Sequence, residues 1–330
     1  MKDSLLEILV CPQCKNSLAL QHPSREGQEI ISGTLFCSIC QKSYEIRRGV
    51  PRMIAGKLSS DKEKTAAAFG YEWKNFTALT DKYEHQFLDW IKPIKRDFFK
   101  DKVVLDAGCG KGRHVWLAAT FGSRQVVGID LSDAVDVAFQ NTRQFPNVNI
   151  VQADIYNLPF AKPFDYAYSI GVLHHLPDPK KGFLSVKESL RPGGTISAWV
   201  YGKEGNWWIE HLLNPVRIGI TSKLPLFVTQ TISFILALPF QLALKLVYRP
   251  VNIHLPKLKK LLFYNDYLFS ISGFSFEENF SIIFDHLVAP TAFYISEPEF
   301  SDWFKTAGLQ EVVITRRNNN SWRGAGKALD

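Results

Sequence analysis

The feature that most constrains this chain is the run Val103-Val104-Leu105-Asp106-Ala107-Gly108-Cys109-Gly110-Lys111-Gly112-Arg113-His114. A short β-branched stretch ends in an acid, and a Gly-x-Gly-x-Gly turn follows at once. Glycines at that spacing let the backbone approach a ligand closely and enter a helix without a Cβ clash. A turn that receives phosphate uses bare amide N–H groups at a helix N-terminus, with no carboxylate beside them. Here Asp106 precedes the turn, so the expected ligand is cationic. Cys109, inside the turn, reads as a small residue that fits and not as a nucleophile.

Strand and helix patterns alternate from this point, which predicts a parallel sheet with helices on both faces. Strands are expected at Lys102–Asp106, Gln125–Asp130, Asn147–Gln152, Phe164–Ser169 and Gly194–Tyr201. Helices are expected near Gly112–Phe121, Ser132–Arg143 and Lys180–Leu190. Ligands in such sheets bind beyond the carboxyl ends of the strands. Asp106 stands at the first strand end, Asp130 at the second and Asp154 after the third, 24 residues apart each time. One acid at a strand end is an ordinary helix cap. Three in succession predict a nucleoside site, in which Asp130 accepts the ribose hydroxyls and Asp154 the adenine amino group. Ile155 then packs on the ring, and Ser169 closes the fourth strand.

The span 100–201, with its Leu-Arg-Pro-Gly-Gly entry to the fifth strand, resembles the class I S-adenosylmethionine-dependent methyltransferases. The resemblance implies a Rossmann-like, doubly wound, seven-stranded α/β sheet and S-adenosyl-L-methionine as cofactor. It assigns Asp106, Gly108, Gly110, Gly112, Asp130, Leu131, Asp154, Ile155 and Ser169 to cofactor binding. Methyl transfer is an in-line displacement in which the protein supplies orientation and desolvation. A general base is needed only where the acceptor atom carries a proton. His175, of the pair His174-His175 after strand four, is the first candidate, and Asp285-His286 is a second pair. Tyr201 and Glu204 follow the fifth strand, and Tyr71 and Trp73 precede the core. Each has an ordinary packing role as its alternative. The segment Ser169-Ile170-Gly171-Val172 replaces the Asn-Pro-Pro-Tyr type motif of many amino-nitrogen methylators, which favours an oxygen or carbon acceptor.

Ahead of the core, Cys11-Pro12-Gln13-Cys14 and Cys37-Ser38-Ile39-Cys40 lie 22 residues apart. Two such pairs make the closed tetrahedral shell of structural Zn2+, with Cys11, Cys14, Cys37 and Cys40 as ligands. The first 55 residues or so also resemble the small zinc-ribbon activators that pair with methyltransferases, whose partners act on tRNA, rRNA and release factors. Paired cysteines and the lack of a visible signal-type leader in Met-Lys-Asp-Ser predict a reducing, cytoplasmic setting.

The division expected is a zinc ribbon (1–56), a cofactor-binding core (57–201), a mainly helical insert after strand five (202–296), and a closing helix and strands (297–330). The insert has no Asp or Glu from His211 to Asn265 but seven Lys or Arg. Its uncharged stretch is long enough to span a bilayer, yet Pro225 and Pro239 interrupt it, so two apolar helices joined near Pro239 are expected. These packed helices form a cap, or else 211–265 touches the inner face of a membrane peripherally. A small-molecule or lipid-linked acceptor in an apolar pocket is the leading expectation. RNA or a translation protein ranks second despite the net charge of +7, because bases and aromatics do not interleave along the sequence as a stacking platform requires. Asn318, Asn319 and Arg323 are further candidates for binding an oxygen-rich acceptor. A binding protein without activity ranks last, since the glycine turn and all three acids are intact.

Overall fold

In the computed structural model, residues 1–77 and 83–329 are described. Seven strands build the core: β5 (Val103–Ala107), β6 (Gln125–Asp130), β7 (Val148–Ala153), β8 (Phe164–Ile170), β9 (Leu190–Tyr201), β10 (Gln310–Arg317) and β11 (Ser321–Lys327). Their spatial order is β7-β6-β5-β8-β9-β11-β10. The first five run parallel, and β11 lies antiparallel between β9 and β10. Strands β5, β7 and β8 are buried on both faces, as near-continuous apolar runs in a covered parallel sheet require. The order reverses between β5 and β8, and a crevice opens there at the carboxyl ends of both.

Helices α2 (Arg113–Thr120), α3 (Ala134–Thr142), α4 (Pro179–Glu188) and α7 (Glu297–Thr306) are among those that cover the sheet. An earlier helix, α1 (Ser60–Asn75), precedes the core. The expected strand and helix limits shift by a residue or two, apart from β9, which begins at Leu190 through the Arg-Pro-Gly-Gly segment.

The ribbon strands are β1 (Ala19–Glu26), β2 (Glu29–Cys37), β3 (Lys42–Arg47) and β4 (Val50–Met53). The ribbon is not a separate bead on the chain. Strand β4 pairs in parallel with the core edge strand β7, Arg52 opposite Gln152 and Met53 opposite Ala153. The sheet therefore runs through eleven strands. Leu5, Leu9, Leu35, Ile46 and Met53 share one apolar core with Leu158 and Phe160. Lys15 Nζ donates to the Leu158 carbonyl at 2.8 Å.

The insert departs from expectation at Pro239. Helix α5 (Leu226–Ala243) carries Pro239 inside it and continues as one 29-residue helix to His254. Proline removes one N–H and crowds the carbonyl four residues back, which bends a helix without having to end it. By length and composition this helix is apolar enough to cross a membrane, and 17% of its most apolar window is buried. Helix α6 (Phe276–Val288) packs on it, started by a reciprocal Ser275–Glu278 capping box.

Candidate active site

The crevice lies over the first turn. Gly108, Gly110 and Gly112 have φ of 97°, 51° and 85°, the left-handed region. A Cβ on Gly108 would meet Val172 at 2.4 Å, and one on Gly110 would meet Trp73 Nε1 at 2.9 Å. The turn is closed on its far side by Asp130. Its Oδ2 accepts from Gly110 N–H at 3.0 Å, and its Oδ1 accepts from Ser132 N–H and Oγ at 2.8 and 2.7 Å. Burial raises the Asp130 carboxyl, and these bonds pull against that rise.

Asp106 is fully buried, and neither of its oxygens has a hydrogen-bond partner among the described residues. Burial first, then the charge of Asp130, push its carboxyl well above the ordinary range. A carboxylate left without a donor at the base of a glycine turn fits a cationic ligand. Asp106 itself lies beneath the lining, whereas Asp154 and Ile155 line the crevice. Asp154 accepts from Tyr156 N–H at 3.0 Å and pairs with Lys62 at 2.5 Å, tying the third strand end to α1. Leu131 lines the same wall. Gly112 and Ser169 stand behind it. Gly112 lets α2 approach Ala138 on α3, and the Ser169 hydroxyl donates to the Ala107 carbonyl at 2.8 Å, linking β8 to β5.

The opposite wall holds the proton-handling candidates. His175 Nδ1 lies 2.6 Å from the Thr291 carbonyl. A carbonyl only accepts, so Nδ1 carries the proton and Nε2 keeps its lone pair. The ring packs edge-on against Phe69, and burial lowers its pKa, so it is neutral at neutral pH. Asp285 accepts from the Tyr201 hydroxyl at 3.2 Å, and His286 Nδ1–H donates to the Ile282 carbonyl at 2.9 Å. His175, Tyr201, Asp285 and His286 all face the cleft. His174 lies beneath, fully buried, with its ring 4.0 Å from that of Tyr201.

Other candidates are committed elsewhere. Glu204 accepts from Trp322 Nε1 and Glu297 N–H. Tyr71 donates to Gln230, Asn319 to Asp266, and Arg323 to Asp89. Glu72, by contrast, was passed over in the sequence and lines the cleft. The signal was available: Phe69, Glu72 and Trp73 share one face of α1, an acid within an apolar stripe that Phe76 extends just past the helix end.

In the ribbon, Cys11 Sγ lies 3.5 Å from Cys40 Sγ, and Cys14 Sγ 3.4 Å from Cys37 Sγ. All four sulfurs fall within 4.8 Å of one another. A tetrahedral zinc with bonds of about 2.3 Å places its sulfurs about 3.8 Å apart, so the four fit one ion.

Residues 105–198 match the methyltransferase domain family, and residues 2–49 match the Trm112p-like protein family. The chain carries a class I methyltransferase domain behind a Trm112p-like zinc ribbon. The cofactor this domain implies is S-adenosyl-L-methionine, and the ribbon implies structural zinc. The tRNA U34 carboxymethyltransferase of Pseudoalteromonas translucida is 38% identical over 114 residues, 34% of each chain. That of Cellvibrio japonicus is 36% identical over 115 residues, 32% of this chain and 36% of its own. The chain thus spans about a third of the length of the curated relatives it matches. A Haloferax volcanii complex of the Trm112 methyltransferase activator with a methyltransferase aligns at 15% identity and a TM-score of 0.45, over 83% of this chain and all of that one.

The tRNA-directed names overturn the expectation of a small-molecule or lipid-linked acceptor, and with it the low rank given to nucleic acid. The structure supplies the physical reason. The apolar run that suggested a hydrophobic pocket does not reach the cleft: none of the described residues from 211 to 263 lines it. Those that do from the insert and the closing hairpin include the polar Asn206, Tyr264, Ser281, Asp285 and Asn320 beside the apolar Ile209, Ile271, Phe274 and Ile282. Aromatics distant in sequence also meet in space, with Trp208 against both Phe263 and Tyr264.

Proposed function

We propose that this protein is an S-adenosylmethionine-dependent methyltransferase whose acceptor is a nucleobase in RNA, with tRNA the first candidate. One observation carries the RNA part: the relatives that share its cofactor-binding segment at 38% and 36% identity are named for tRNA. The acceptor side carries polar side chains such as Asn206, Ser281, Asp285 and Asn320 among apolar ones, a mixture that a nucleobase, with polar edges and flat apolar faces, can match. We place the protein in the cytoplasm.

Bound S-adenosylmethionine supplies a methyl carbon made electrophilic by positive sulfur. The chain holds the site in shape. Asp130 and the turn amides would hold the sugar end and Asp154 and Ile155 the base end, with Asp106 beneath the turn. His175, with its lone pair on Nε2, takes a proton from an acceptor atom that carries one. Tyr201 and Asp285 orient the acceptor against the opposite wall. Enclosure by α1 and α6 keeps water from the reacting atoms.

The test is incubation of zinc-loaded protein with methyl-labelled cofactor and either total tRNA or a solvent extract of cells. Label in nuclease-sensitive material is the expected result. Label confined to the solvent-extractable fraction overturns the reading.

A further inference from the structure

Glu72 and Asp285, two acids in the cleft, each have an oxygen that nothing among the described residues satisfies. Glu72 comes from α1, before the core, and Asp285 from α6, inside the insert. Glu72 is 1% exposed. It accepts from Ser281 Oγ at 2.6 Å through Oε1, while Oε2 is buried without a hydrogen-bond partner. Asp285 stands four residues beyond Ser281, on the same face one turn along, so the two carboxyls are neighbours. Asp285 Oδ2 accepts from Tyr201, and its Oδ1 is likewise buried and unpartnered. Buried carboxylate oxygens are costly without donors. Two that face one cleft call for a ligand that brings donors.

The surroundings set the shape of that ligand. Tyr201 and Tyr294 lie with ring planes 20° apart and centroids 5.8 Å apart, and both line the cleft. Flat walls suit a flat guest. Burial and the charge of Asp285 push the Glu72 carboxyl well above its ordinary range, with Arg113 and Lys111 acting in the opposite sense.

We propose that Glu72 and Asp285 form an acceptor subsite for a planar ring that presents N–H donors, neutral or cationic, and that the pair excludes anionic rings. This deepens the nucleobase reading and rests on it for the identity of the ring, but not for its chemistry.

The test uses zinc-loaded full-length protein saturated with S-adenosylhomocysteine, titrated calorimetrically with benzamidine and with benzoate. These probes share size and shape and differ in charge and donors. Benzamidine should bind saturably, and benzoate should not at the same concentrations. Glu72→Gln and Asp285→Asn should each weaken benzamidine at least tenfold while S-adenosylmethionine binds within about twofold of the parent. Equal binding of benzoate overturns the proposal. So does unchanged benzamidine binding in the folded variants, or a loss that falls on S-adenosylmethionine instead. If Glu72→Gln does not fold, Asp285→Asn decides alone. Benzamidine selection without tRNA labelling sinks the RNA reading and keeps the subsite; tRNA labelling without that selection does the reverse.

Discussion

Asp130, at the end of β6, accepts the amide hydrogen of Gly110 in the turn after β5. One carboxylate thereby joins two strand ends and shapes the loop between them. Hydrogen bonds to a charged group contribute roughly 1.5–3 kcal/mol each. Asp130→Ala should weaken S-adenosylmethionine binding by about ten- to a hundredfold, read by calorimetry. Unchanged affinity would remove Asp130 from the cofactor site.

Gly108 combines a φ of 97° with a space that Val172 already fills. Gly108→Ala adds backbone strain of about 1–3 kcal/mol and a clash with Val172. The expected outcome is a lower melting temperature together with loss of cofactor binding. A variant that melts and binds like the parent contradicts this picture of the turn.

Zinc removal should be felt outside the ribbon, because β4 completes the edge of β7. Chelation or Cys37→Ser should lower hydrogen-exchange protection at Gln152 and Ala153 along with that of the ribbon strands. Protection lost only before residue 50 would mean that the pairing stands without the metal.

His174 is fully buried, and both its ring nitrogens lack partners among the described residues. Burial above all, and then the neighbouring His175, His286 and Arg217, hold its pKa well below the ordinary value. The unfolded chain therefore takes up this proton first as pH falls. The stability is present above the unfolded value of about 6.5 and declines below it. His174→Phe should flatten the fall in melting temperature between pH 7 and 5 and change little at pH 8. An identical acid limb in both proteins would show that the ring is not kept neutral by its surroundings.

The parts of this architecture legible in the sequence were those set by local rules. Alternating strand and helix patterns, the glycine turn and acids at strand ends each follow from spacing along the chain. The cysteine pairs were legible for the same reason. What stayed hidden depended on distance in space. Glu72 and Asp285 are brought together by two helices that flank the core, and no periodicity links them. Ser169 looked like a cleft residue from its place at a strand end, but its hydroxyl turns inward to Ala107. Pro239 looked like a break, and the helix runs through it. The apolar insert was read as a pocket lining because composition alone does not say which way a face points.

The pairing of β4 with β7 has a consequence for how the two halves live together. An activator supplied as a free protein must be captured at its cellular concentration, and it can leave. A ribbon on the same polypeptide meets its sheet edge at an effective concentration in roughly the millimolar range, however scarce the protein becomes. Dilution cannot strip the cover from β7, so the edge strand stays sealed wherever the chain is folded and loaded.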